Sequence, residues 1–243
     1  QKGYQTKRAY LLKGEKLPPG EFGVMHGYMK IPELKKVCHA YGVSINEYLV
    51  AVYVWSVYTE CMHGMPSERP VRVAVPVNLR PYFNSITTKN FFVMVSAEFH
   101  PTKEIYTFEE VLKSVSESLR SQISRENLEK LFSYNVSNEK LLAARIVPLF
   151  LKNLAMRYVY TTSALANTAT VTNIGNISVS EEYRPYVEMF HAFLAMSKGQ
   201  HLKGTICSYG DTLVFSFSYD LTDTSVQRGF FRKIAADGIA VEI

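Results

Sequence analysis

Val71-Arg72-Val73-Ala74-Val75-Pro76-Val77 alternates as a β-strand does, with its four valines on one face. Pro76 has no N–H to give a ladder, so the strand is expected at a sheet edge or to bulge there. The chain continues through Asn78-Leu79-Arg80 into a second alternating stretch. In it, Phe91, Val93, Val95, Ala97 and Phe99 share a face. Phe22 to Lys30 reads as a third strand, lying well upstream of this pair.

Between those strands the period changes. Ile31, Leu34, Val37, Cys38 and Tyr41 recur on one helical face, with Pro32 in the first turn and Gly42 past the end. Ser44 and Glu47 form a capping box, and Ile45, Tyr48, Leu49, Val52 and Trp55 follow. That helix is apolar on nearly every side, which predicts burial between layers. Thr107 and Glu110 make a second box ahead of Val111, Val115, Leu119 and Ile123. A helical stretch is expected from about Asn138 to Tyr158, kinked or broken at Pro148.

The last third reads mainly as strands: Ala169 to Ile174, Tyr186 to Met196, Lys203 to Ser208 and Thr212 to Tyr219. Ser208-Tyr209-Gly210-Asp211 supplies a hairpin turn. Asp223 is placed to cap a final helix that turns Val226, Phe230, Phe231 and Ile234 inward and ends at Gly238. This order lacks the regular βα alternation of a Rossmann or barrel fold. It predicts an α/β protein of the α+β type, with a mixed, largely antiparallel sheet covered by helices. No Pro/Gly/Ser linker interrupts the middle. Residues 1–21 read as an N-terminal linker or extension and 22–243 as a single domain.

The 243 residues are 47% apolar, ample for a core. No stretch is long and apolar enough to span a bilayer, and the start shows no secretory h-region. The formal charge of +5 is scattered among nearly as many acids, which argues against a nucleic-acid surface. Cys38, Cys61 and Cys207 form neither a disulfide framework nor a CxxC pair, so free thiols in a reducing cytoplasmic setting are expected, with no metal site.

Motifs for phosphate loops, nucleophile elbows and zinc helices are all missing. Six dispersed histidines include His100 and His191, the two worth inspecting as bases, neither with a carboxylate at an orienting distance in sequence. Ser216 and Ser218 alternate with Phe215 and Phe217, leaving one strand face small and polar. That face is either solvated or the wall of a ligand channel.

Three ordered segments resemble one superfamily. Ile31-Pro32-Glu33-Leu34 through Tyr41-Gly42-Val43-Ser44-Ile45-Asn46-Glu47-Tyr48-Leu49 is the first. Val75-Pro76-Val77-Asn78-Leu79-Arg80 followed by Asn90-Phe91-Phe92 is the second, and Val171-Thr172-Asn173-Ile174-Gly175-Asn176-Ile177 the third. Together, with Tyr219-Asp220 before the last helix, they resemble the C-terminal lobe of condensation-domain and alcohol-acetyltransferase-like proteins. These have the chloramphenicol-acetyltransferase-like, CoA-dependent acyltransferase fold.

The resemblance implies a tunnel between two lobes, with a His-His-x-x-x-Asp-Gly base in the other lobe. This chain contains no His-x-x-x-Asp. It therefore implies an O-acyltransferase lobe that moves an acyl (acetyl) group from a CoA thioester to an alcohol only with its upstream lobe. By the same resemblance Arg80 is a structural cation facing the missing Asp across the lobe interface, and Asn78 ties down its turn. Thr172 and Asn173 are donors at the tunnel, unless Asn173 and Gly175 simply make a tight strand-end turn. Rival readings are a non-catalytic scaffolding module that self-associates, and a hydrolase using His100 or His191. Half of a two-lobed body would expose an apolar face, so self-association is expected under either of the first two readings.

Overall fold

The valines at 71, 73 and 75 meet the sheet's apolar face as the alternation requires, and all three are buried. In the computed structural model, which describes residues 8–140, 147–197 and 199–243, they belong to β2 (Val71–Asn78). β2 pairs antiparallel with β3 (Phe92–Phe99) from Val71↔Phe99 to Asn78↔Phe92. Its other neighbour is β4 (Ala169–Asn176), which runs parallel to it and in turn pairs parallel with β5 (Leu202–Tyr209). The hairpin partner of β5 is β6 (Thr212–Tyr219), flanked by β1 (Gly23–Lys30) and then the short β7 (Val241–Glu242). The sheet order is β3-β2-β4-β5-β6-β1-β7, mixed and largely antiparallel as the element order predicts.

Helices cover one face. α1 (Ile31–Tyr41) ends at Gly42, and α2 (Ile45–Ser56) starts on the Ser44/Glu47 capping box, with both reciprocal bonds formed. α2 passes through a π-helical turn at Val57–Cys61. From Glu47 to Val54 every residue of α2 is buried. Tyr53 stacks on Phe217 of the sheet and donates its hydroxyl to Leu202 O at 3.1 Å. α4 (Phe108–Gln122) lies beside it on the Thr107/Glu110 box, burying Val111, Val115 and Leu119. α7 (Ser225–Ala236) completes the layer with Val226, Phe230, Phe231 and Ile234. Three further helices, α3 (Arg80–Phe83), α5 (Arg125–Lys140) and α6 (Leu149–Ala164), lie between β2 and β4 in sequence.

The described part of the expected N-terminal extension lies on this body. Ala9 N donates to Leu165 O, Lys16 bridges Leu221, and Leu12 is buried. Residues 1–7 lie outside the described residues.

Several expectations change. Pro76 sits in an interior strand, yet it is tolerated because β4 pairs with β2 only at Val73 and Ala74 and has left before Pro76. Tyr186 to Met196 is not a strand. Tyr186 closes a 3₁₀ turn (Glu181–Tyr186), and the rest crosses the sheet's second face without a ladder. The reason is topological: β4 and β6 already occupy both sides of β5. The helical stretch expected over Asn138 to Tyr158 is broken at Pro148, as the proline requires, and its described flanks belong to two helices. Residues 141–146 lie outside the described residues. α5 starts earlier, where Ser124 Oγ accepts from Asn127 N, and α6 starts right after Pro148, where the missing N–H costs nothing. Thr224, not Asp223, is the N-cap of α7; Asp223 accepts from Ser225 N and Oγ instead.

Two substitutions test this layer. Glu47 has an 11% exposed side chain, and Arg120 of α4 pairs with it while also donating to Gly42 O. Burial raises the Glu47 carboxyl, but Arg120 and the Ser44 bonds outweigh it and hold it below the usual carboxylate value. This stabilisation is present above the unfolded carboxyl's pKa and fades as pH falls through the lowered folded value. Arg120→Met should lower unfolding free energy near neutral pH by about 1 kcal/mol, the guanidinium being half exposed. Urea titrations should show that difference shrinking in acid. At Gly27, a methyl would overlap the Phe231 ring. Gly27→Ala should lose about 2 kcal/mol in the same titration, with no pH dependence.

Candidate functional site

The sheet's second face is built from residues of even number in β1, β2, β3, β4 and β6 and odd number in β5, as register dictates. One row across it runs Met94, Pro76, Thr172, Thr205, Ser216, His26. The next runs Ser96, Ala74, Thr170, Lys203, Ser218, Val24. This face is polar where the helix-covered face is aliphatic and aromatic. The segment 187–196 lies over its β5–β6–β1 half, held by side chains: Lys203 Nζ donates to Ala195 O at 2.7 Å and Cys207 Sγ to Phe190 O at 3.2 Å.

On the other half, β2 and β4 diverge after Ala74 and Thr170, and a cavity of about 370 Å³ occupies the split. Pro76, Asn78 and Arg80 line one side and Thr170, Thr172 and Asn173 the other, with Phe91, Phe92 and Met94 from the β3 side and Leu194 from the overlying segment. The cavity lies beside the carboxyl half of β2 and the amino half of β4, where their short parallel pairing ends.

Asn78 Oδ1 accepts from the backbone N–H of Arg80 at 3.1 Å and from its Nη1 at 3.2 Å. The guanidinium also donates to Thr87 O and Lys89 O, pinning the 84–90 loop at the cavity mouth. These bonds use only part of its donor fork. Asn173 and Gly175 form a β-bulge rather than a strand-end turn. Asn173 Oδ1 accepts from Gly175 N at 2.8 Å, Gly175 takes φ +85°, and β4 resumes pairing beyond it. The bulge leaves Asn173 Nδ2 directed toward Asn46 of α2 at 3.5 Å.

Of the residues singled out in the sequence, the fold brings Asn78, Arg80, Thr172 and Asn173 around one cavity. Gly175 shapes the bulge behind it. Ser216 and Ser218 are elsewhere and fully buried, so theirs is not a solvated face. Ser216 Oγ bonds His26 Nδ1 at 2.7 Å. Burial, then the neighbouring His191, hold the His26 imidazole below its ordinary value, so it is neutral at pH 7. The His191 ring lies 4.6 Å from that of His26, and its Nε2 meets Tyr28 Oη at 2.9 Å. His100 sits apart, exposed, with Nε2 on Glu68 O.

Sequence inspection missed His26, Lys203 and Thr205, because only strand register puts them beside Ser216 and Ser218. It also missed His201, whose Nδ1 lies 2.8 Å from Asp220 Oδ1 across the β5–β6 hairpin. His201 shares a small hollow with Cys61, but burial pushes that thiol up to about 11, so it is no thiolate nucleophile at neutral pH. All three cysteines are free. Among the described residues no cluster of three or more His, Cys, Asp or Glu side chains is arranged to hold a metal, and no helix is long and apolar enough to cross a membrane.

No family profile matches the chain, and no curated protein sequence matches it. Solved structures do. A nonribosomal peptide synthetase, FmoA3, superposes with a TM-score of 0.62 at 16% identity, over 95% of this chain and 22% of that one. The trichothecene 15-O-acetyltransferase of Fusarium sporotrichioides gives 0.58 at 14% identity, over 93% of this chain and 48% of that one. The wax ester synthase/diacylglycerol acyltransferase of Marinobacter aquaeolei VT8 gives 0.53 at 16% identity, over 95% and 52%. The chain thus spans about half the length of the two acyltransferases and a smaller share of the synthetase. Over most of its length the chain therefore shares the fold of these structures, a mixed, largely antiparallel sheet covered by helices.

Proposed function

We propose that this chain is the C-terminal lobe of an O-acyltransferase that moves an acyl group, acetyl in the simplest case, from a CoA thioester to an alcohol. The observation that carries the reading is the split between β2 and β4. It gathers Asn78, Arg80, Thr172 and Asn173, from two segments that resemble the superfamily's, around one cavity. Thr172 supplies a hydroxyl donor for a thioester oxyanion, where fixed dipoles lower the barrier most, and Asn173, turned toward Asn46 of α2, shapes the wall beside it. Arg80 braces the 84–90 loop at the mouth and keeps donors over for an acid on the facing lobe. The general base belongs to that lobe, since the imidazoles here lie outside the cavity lining.

A second feature supports a missing partner. α6 exposes Leu149, Phe150, Leu154, Met156, Tyr158 and Tyr160 around its circumference. A helix that exposes so many large apolar side chains, with only Lys152 and Arg157 charged, belongs against a larger body, so a facing lobe, or a second copy, covers it.

The test is an acyl-transfer assay, reading thiol release from acetyl-CoA with a primary alcohol. The chain alone should show no turnover. Joined to an upstream segment of its own reading frame that carries His-His-x-x-x-Asp-Gly, it should turn over, and Thr172→Val should then cut kcat by roughly 100-fold with a smaller effect on KM. The absence of that motif upstream, or an inert joined protein, would sink the reading in favour of a non-catalytic module.

A further inference from the structure

Lys203 is a buried cation, 8% exposed, and no carboxylate pairs with it among the described residues. Its ammonium carries three donors, yet its one bond is to Ala195 O. Burial lowers its proton affinity, as expected for an ammonium without a counter-charge. Beside it on the strands lie two hydroxyls in the same condition. Ser218, its register partner on β6, and Thr205, two residues along β5, are 0% and 1% exposed, and neither Oγ atom has a hydrogen-bond partner among the described residues. Ser216, one step away, is satisfied by His26.

Buried groups of this kind are costly unless something satisfies them. Water would serve the hydroxyls but leave the cation uncompensated. A single negative charge with two acceptor oxygens answers all three groups. A phosphate dianion would exceed the one positive charge present. The group also neighbours the cavity. Thr170 lines the cavity and is the register partner of Lys203 on β4, and Leu194, which lines the cavity too, precedes the Ala195 carbonyl that Lys203 holds.

We propose that Lys203, Ser218 and Thr205 form a carboxylate-binding subsite beside the cavity, beneath the 187–196 segment, and that the small molecule it takes carries a carboxylate. This stands apart from the acyl-transfer reading, since binding needs neither a second lobe nor a thioester.

The experiment compares thermal unfolding in about 100 mM sodium acetate with sodium chloride at matched ionic strength. Acetate should raise the Tm of the wild-type chain by about 3 °C, with amide shifts centred on Thr170, Lys203 and Ser218. Lys203→Met should abolish the acetate effect. Ser218→Ala removes only an unsatisfied hydroxyl, so it should fold as the wild type does and weaken acetate binding by roughly threefold to tenfold. Equal Tm values in the two salts would overturn the proposal and leave Lys203 as a tie for the 187–196 segment. So would an acetate effect undiminished in both variants.

Discussion

The burial of α2 is the constraint on which the rest of the structure depends. A helix apolar on every side has no face to give to water, so it must be wrapped. The sheet takes one side through Tyr53 and Phe217, and α4 and α7 take others. Its one charged residue at the first turn, Glu47, is retained because it serves twice, completing the capping box and receiving Arg120 from α4. The same carboxylate therefore starts the helix and fixes its neighbour. The apolar side chains of the strands turn mostly to this side, and the second face of the sheet carries threonines, serines, a lysine and a histidine beside a few apolar residues such as Met94 and Val24.

That second face is where local irregularities acquire chemical meaning. Pro76 cannot donate to a ladder, and β4 has already departed when the chain reaches it. The bulge at Asn173 and Gly175 is the second departure from regular pairing, on the opposite wall of the same opening. A continuous sheet there would close the cavity with hydrogen bonds. Two strands that part early leave room for a ligand, and the side chains at the parting are amides, hydroxyls and a guanidinium.

The long segment over the other half of the face illustrates the limits of periodicity. Tyr186 to Met196 has the composition of a strand, and alternating exposure persists through much of it. It forms no ladder because pairing is a property of available edges, and both edges of β5 are taken. It is tied down instead through Lys203 and Cys207, whose side chains point to that face because of their parity along β5.

Much of the fold was legible in the sequence, for physical reasons. Capping boxes at Ser44 and Thr107, the alternation around Val71 and Phe91, and the apolar stripe of α7 are local patterns whose meaning does not depend on distant residues. That Asn78 ties down the turn at Arg80 was expected through the resemblance, and the bonds between them are formed. The grouping of Asn78 and Arg80 with Thr172 and Asn173 was expected only through resemblance, because nothing local brings together residues almost a hundred positions apart. His26 beside Ser216, Lys203 beside Ser218 and His201 beside Asp220 were decided by the tertiary structure alone. Each pair meets through strand register, and register is set by the whole sheet packing on α2. The sequence by itself determined which faces are apolar and where helices begin. Only the assembled sheet decided which polar residues share the other face, since a one-residue slip in any strand would have sent them into the core.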